Sequence, residues 1–238
     1  MWRRLKLGDI ELFDGTCVPI LYEDRSVLAI DKPAGWLLAP EKWKNTSRNL
    51  QRELMISLGA GEYWARSRNL KYIRFVHRLD AETSGVLLLA RSAGALSALS
   101  ELFETRLVRK TYLAVVDGIP KETTWECRLN ISQEPGAKGQ MRVDQRNGKE
   151  AQTAFRVLQR REGRALIQAV SATGRTHQIR VHLAAAGHPV LGDWLYGGPG
   201  REFALRAVEL SYTDPFLKRP VRVTAPTDEF LRRFHFGP

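Results

Sequence analysis

Acidic residues are scarce in this chain of 238 residues: 26 Asp and Glu stand against 37 Lys and Arg, a formal charge of +11 with a pI near 10.0. That excess sets up a field attractive to polyanions, of which nucleic acid is the commonest in a cell. A generic basic surface has the same composition, so charge raises one reading without selecting it. Cysteine is scarcer still. Cys17 and Cys127 are the only two and lie in no CxxC spacing, which excludes a disulfide framework and a cysteine zinc site and leaves free thiols in a reducing cytoplasm as the expectation. Long apolar runs are missing as well: "GVLLLA" at 85–90 is far too short to cross a bilayer, and "MWRRLKLGDIELF" has no apolar segment of signal-peptide type. A cytoplasmic protein with no membrane segment is expected. Repeats, low-complexity tracts and Ser/Gly linkers are absent, which favours one continuous domain over 1–238. No GxGxxG, no GxxxxGK[ST] and no nucleophile elbow is present.

What is present reads as a strand-rich α+β chain. "SVLAIDKPAG" predicts a short buried strand over Val27–Ile30, stopped by Pro33 and Gly35. "SRNLQRELMISLG" predicts a helix with Ser47 as N-cap, Leu50, Leu54 and Leu58 on one face, and Gly59 at the C-cap. "GVLLLA" predicts a strand buried on both faces, and Leu96, Leu99, Phe103 and Leu107 share helical spacing after it. From Lys110 to about Phe155 the pattern turns to strands, with Asn147-Gly148 as a two-residue hairpin signal. "ALIQAVSA" adds a strand, and "TGRTHQIRVHLAAAGHP" a loop and a helix ending at Gly187. On a helix begun near Thr176, Ile179 and Leu183 face the core and Gln178 and His182 lie elsewhere. "EFALRAVELSYT" and "VRVTAP" read as late strands and "TDEFLRRF" as a closing helix.

Five stretches are candidates for chemistry. "RSRNLKYIRFV" holds Arg66, Arg68, Lys71 and Arg74 with two aromatics and no acid, and "HRLDAETSG" then sets Asp80 at its end. A carboxylate there repels any polyanion the strip attracts. It is either a turn cap of the Asx type or a reacting group. "TGRTHQIRVH" gathers Arg175, His177, Arg180 and His182 with Thr173 and Thr176 around Gly174, a donor density suited to a phosphate or to a carboxylate kept ionised. His177 and His182 are five apart, not the four that set two ligands on one helix face, so no metal is expected. Tyr112 in "RKTYLAVV" is a core aromatic or a base-stacking one, and Lys32 in "DKPAGWLL" sits at a Pro/Gly turn.

"VLAIDKPAG", "VHRLDAETSGVLLLA", "VRKTYLAVVDG" and "ATGRTHQIRVHLAAAGHPVLGDWLYGG" follow one another in this order. The series resembles the RluA-type pseudouridine synthases over roughly residues 20 to 225, and HRLDxxTSG is its most diagnostic motif. Many relatives carry an N-terminal S4-type RNA-binding domain. The chain begins about twenty residues before the first motif, so it looks like a member without one. The resemblance implies an α+β catalytic domain: a long mixed, mostly antiparallel sheet, flanking helices and a central RNA-binding cleft. It also implies isomerisation of uridine in ribosomal or transfer RNA without metal or cofactor. Asp80 matches the family's essential aspartate, Tyr112 the tyrosine that packs on the target base, Arg175 the basic residue that pairs with the aspartate, and Arg78 the arginine that helps fill the gap left by the flipped nucleotide. His77, Lys32, Arg66, Arg68, Lys71, Arg74, His177 and Arg180 are the further expected RNA contacts.

A base inside an RNA stack cannot be rotated in place, so the nucleotide must be extruded, and phosphate contacts from the basic strip offset that cost. A carboxylate then attacks C1′, removes a sugar proton or adds to C6; the residues do not choose among the three. Looped RNA is the expected target, because A-form duplex hides its base edges. The basic stretches 39–49 and 131–149 are the candidates for substrate choice, with Trp36 and Trp43 able to touch bases or pack the first stretch down. A non-enzymatic RNA-binding or chaperone protein is the rival class, and Asp80 with Tyr112 and Arg175 argues against it. Nothing in the sequence demands more than a monomer.

Overall fold

Residues 9–38, 48–137 and 139–237 are described by a computed structural model. Among them, those up to Leu107 together with Tyr212–Ala225 form one compact unit, and Val108–Ser211 with the residues from Pro226 onward form a second. In the first unit β1 (Ile10–Glu11) pairs with β2 (Cys17–Val18), and β3 (Ile20–Glu23) runs antiparallel to β4 (Val27–Lys32). Val27–Ile30 are fully buried, as their apolar run requires. Next come α1 (Leu50–Gly59), α2 (Tyr63–Arg66), β5 (Arg74–Phe75), β6 (Ser84–Ala90) and α3 (Ala93–Glu104). Asn49 caps α1, its Oδ1 accepting the Arg52 N–H at 3.1 Å, and Ala60 ends it. The expected cap, Ser47, lies outside the described residues. Leu50 and Leu54 are buried with Ser57, while Leu58 is only half-buried. β6 pairs with β4 and β5, and Val86–Ala90 have almost no exposed surface. α3 is capped by Ser92 and stops at Glu104, where Arg106 turns to a positive φ. Leu107, expected on its apolar face, is therefore past the helix and 64% exposed.

The second unit holds β7 (Arg109–Asp117), β8 (Thr124–Cys127), β9 (Ile131–Gln133), β10 (Met141–Val143), β11 (Thr153–Arg161), β12 (Arg164–Ser171), α4 (Gln178–Ala185) and most of β13 (Leu205–Thr213). Its strands run β13-β7-β12-β11-β8 with antiparallel ladders, while β9 and β10 form a separate hairpin. Val115, Phe155 and Ile167 from the sheet make one core with Ile179 and Leu183 of α4. β14 (Pro220–Thr224) returns to the first unit, and α5 (Asp228–Arg233) adds Phe230 to the core of the second. The class is α+β on a large sheet with few helices, as expected. No helix of the described residues is long and apolar enough to cross a membrane.

The expected Asn147-Gly148 hairpin does not form. The tight two-residue connection is Glu162-Gly163 between β11 and β12, both residues having the positive φ that such a turn needs. Asn147-Gly148 instead lies in a turn organised by Asp144, whose Oδ1 accepts from Arg146 N at 3.2 Å and Asn147 N at 2.9 Å. Gly148 is required there because a Cβ would sit 2.3 Å from the Asp144 carbonyl oxygen. Trp36 is buried and packs its ring on Phe13, so it is no base contact; Trp43 and residues 39–47 lie outside the described residues.

Candidate active site

The register of β4 on β6 pairs Lys32 with Gly85 and so brings the end of β4 beside the loop that carries Asp80. Lys32 is 0% exposed. Its ammonium has three donors and spends them on three carbonyls: Pro33 at 3.0 Å, Ala81 at 2.9 Å and Thr83 at 2.9 Å. Gly35 N–H adds a bond to Ala81 O at 2.8 Å, and Thr83 N–H closes the turn on Asp80 O at 3.1 Å. The Asp80 loop is thereby fastened to the "KPAG" turn at several backbone points, while its own side chain stays half-buried. Burial pushes the Lys32 ammonium down, and against the opposing pull of the Asp80 and Glu82 carboxylates it comes to about 7. Lys32 is thus corrected from an RNA contact to an internal anchor: a side chain without exposed surface touches no phosphate.

In the second unit Tyr112 lies in β7 between Ala169 of β12 and Ala207 of β13. Tyr112 is half-buried and packs against the core of this unit, with only alanine on either side of it in the ladders. Lys110, two residues earlier and on the same face, donates to Thr173 O at 2.7 Å and so ties this face to the "TGRTH" loop. Burial, with the Arg175 guanidinium adding to it, pushes Lys110 down to about 8. Gln178 organises the loop. Its Oε1 accepts from Thr173 Oγ1 at 2.7 Å and from Arg175 N at 3.0 Å, and its Nε2 donates to Gln152 O and Thr153 Oγ1, both at 2.9 Å. All four hydrogen-bonding positions of the amide are used. Arg175 Nε donates to Glu150 O at 2.9 Å, and the residue remains half-buried.

α4 is buried over Gln178–Leu183, all round and not on the single face expected. The reason is that each polar side chain has an internal partner. His182 bridges Thr153 Oγ1 at 3.0 Å and Leu129 O at 2.9 Å, and burial lowers its pKa. Arg180, 1% exposed, forms a two-point ion pair with Asp193, Nε to Oδ2 at 2.7 Å and Nη2 to Oδ1 at 2.8 Å. Arg180 is therefore a structural cation, contrary to its expected RNA contact. His177 opens α4 in a left-handed conformation (φ 55) and bonds Tyr196 Oη at 2.8 Å through Nδ1. His77 is likewise turned inward: its Nε2 accepts the Leu88 N–H at 3.1 Å, and its ring stacks on Phe103. Arg68 is paired with Glu23 and bonds Trp64 O at 3.0 Å; Arg74 covers Tyr72 and donates to Ile73 O at 2.9 Å. Arg66, Lys71 and Arg78 are exposed. Asp80 is thus carried by the first unit, and Tyr112 and Arg175 by the second. Lys110, Gln178, Asp193 and Tyr196 received no role from the residue pattern, although the last two stand in the "GDWLYGG" stretch.

Residues 26–185 match the sequence profile of RNA pseudouridylate synthases. The chain belongs to this family. It is 34% identical over 233 residues to ribosomal large subunit pseudouridine synthase C of Escherichia coli K12, covering 90% of this chain and 68% of that protein. To the dual-specificity RNA pseudouridine synthase RluA of Vibrio cholerae it is 32% identical over 204 residues, 83% of this chain and 78% of that protein. The solved structure of human RNA pseudouridylate synthase domain containing 1 superposes with a TM-score of 0.67 at 25% identity, covering 93% of this chain and 96% of that one. The synthase is an isomerase that acts on uridine in RNA.

In the synthase, Lys32→Met is expected to leave the carbonyls of Pro33, Ala81 and Thr83 without their donor, at about 1–3 kcal/mol for each that stays unsatisfied. Chemical denaturation should show that loss, and turnover should fall with the affinity for RNA kept. The variant should also flatten the pH dependence of stability. The unfolded state protonates Lys32 first as pH falls from 10.5, so its contribution is present above that value and lost on descent to about 7. Equal slopes for wild type and variant across this window would show that Lys32 is charged throughout.

Proposed function

We propose that this synthase modifies uridine in a looped segment of large-subunit ribosomal RNA, with Asp80 as its reacting carboxylate. The similarity to the ribosomal large subunit enzyme of Escherichia coli supports the choice of RNA. The observation that carries the role of Asp80 is its loop, held by a buried ammonium whose three donors are spent on the loop and the adjoining turn. A carboxylate carried on a loop whose backbone is held so firmly, in a chain of charge +11, suits a reaction better than a phosphate-binding surface.

The reaction breaks the uracil N1–C1′ bond, turns the base and forms C5–C1′; the C5 proton leaves to solvent and N1, freed from C1′, takes up a proton. Extrusion of the nucleotide costs a few kcal/mol, which phosphate contacts from Arg66, Lys71 and Arg78 offset. Tyr112 offers its ring to the extruded uracil. Arg175 supplies a fixed cation, its guanidinium aimed by Glu150 O and its backbone by Gln178. Because C5–H is replaced by C5–C1′, tritium at uracil C5 is released at each turnover. Mapping pseudouridine in ribosomal and transfer RNA from cells with and without the gene tests the target. One or more large-subunit sites are expected to vanish. Loss confined to transfer RNA would overturn the choice of RNA, and tritium release by purified enzyme tests the activity directly.

The Arg66→Ala/Lys71→Ala variant should weaken RNA binding. It should also lower the slope of log K against log salt by about 0.7 for each single-strand phosphate that is no longer neutralised. An unchanged slope would remove both residues from the RNA interface.

A further inference from the structure

The largest exposed aromatic surface in the second unit belongs to a residue that the proposed reaction does not use. Trp194 is 73% exposed, although tryptophan is highly buried on average. A lone exposed apolar side chain needs no explanation when it sits on a loose segment, but this one does not. The loop from Gly192 to Pro199 closes on itself, Gly192 N to Pro199 O at 2.7 Å and Gly198 N to Asp193 O at 2.9 Å. Gly198 leaves no slack, since a Cβ there would lie 1.7 Å from Val190 O. On one side of Trp194, Asp193 is locked to Arg180 of α4 in the fully buried ion pair. On the other, Tyr196 Oη bonds His177 and accepts the Met141 N–H of β10 at 2.9 Å, and Leu195 O accepts Gln140 Nε2 at 3.3 Å. The indole is therefore presented by a rigid loop joined both to the "TGRTH" segment and to the β9–β10 hairpin.

We infer that Trp194 is an RNA-contacting residue that stacks on an unpaired base outside the reacting uridine. A rigid aromatic loses little entropy on binding, and every base has a face on which it can stack. The +11 charge of the chain selects a nucleic acid as the occupant over another protein surface. This rests on the RNA-modifying activity, and it adds a base-reading element on the loop bordering the hairpin formed by residues 131–143.

The test is binding of a fluorescein-labelled, uridine-rich single-stranded RNA and of an abasic ribose-phosphate strand of equal length. Trp194→Ala is expected to weaken binding of the first roughly 5- to 150-fold, the range of base–aromatic stacking, and to leave the second unchanged. Trp194→Phe should retain most of the affinity, and the salt slope should be that of wild type because the substitution takes away no cation. Equal affinity of wild type and Trp194→Ala for the base-containing strand would overturn the inference, as would an equal loss on the abasic strand. The thermal melt of Trp194→Ala should match wild type, since an exposed ring contributes little packing. Absence of tritium release by the wild type would instead sink the catalytic reading, and the binding comparison would still judge Trp194.

Discussion

Asp80→Asn should abolish tritium release from RNA labelled at uracil C5, by roughly 10²–10⁴-fold or more, the range expected when a general base or acid is removed. Asn keeps the shape of the side chain and loses the charge, so attack at C1′, removal of a sugar proton and addition at C6 all fail together. RNA binding is expected to hold or to tighten slightly, because the substitution removes one of the two carboxylates in the segment, Asp80 and Glu82, that repel phosphates. The split between turnover and affinity is the decisive readout. A parallel loss of both would make Asp80 a structural cap. The change should also lower the Lys32 pKa further, since the Asp80 carboxylate is the larger of the two charges that hold it up.

Asp193→Ala should be the most damaging single substitution for stability. It strands the Arg180 guanidinium at 1% exposure, between the rings of Tyr196 and Phe203, without its carboxylate. An uncompensated buried charge costs about 3–5 kcal/mol. At roughly 2–4 °C per kcal/mol for a chain of this size, the melting temperature should fall by about 6–20 °C. Replacing both partners, as Arg180→Met with Asp193→Leu, should recover much of that loss, because the desolvation of two ions is then avoided. A single variant that melts within a degree or two of wild type would show that water reaches the guanidinium. Since Asp193 also fixes the residues on either side of Trp194, its loss should reduce binding of base-containing RNA.

The residue pattern was most legible where one interaction dominates. Val27–Ile30 and Val86–Ala90 are apolar over their whole length and became fully buried strands, since nothing but an interior accommodates them. The "TGRTH" loop and the helix after it were placed correctly, and so was the antiparallel strand run from Lys110. Errors arose where two local signals compete. Asn147-Gly148 has the composition of a hairpin turn, but the Asp144 side chain takes the nearby N–H groups and organises another turn. Leu107 continues the period of α3, but the helix has already ended at Glu104.

Charge was the least legible property of all. Lys32, Arg68, His77 and Arg180 carry the same residue-level signal as Arg66, Lys71 and Arg78, yet the first group is engaged inside the fold. The sequence alone specified the fully buried strands, the basic balance and the family, because these depend on residue type and spacing. The tertiary structure decided which cations face solvent and which anchor loops. A lysine's role turns on how far it lies from water and on which carbonyls surround it, and neither quantity exists until residues distant in the chain are packed together. For the same reason Lys32 became the residue that holds the Asp80 loop, and Trp194 came to stand exposed on a rigid frame.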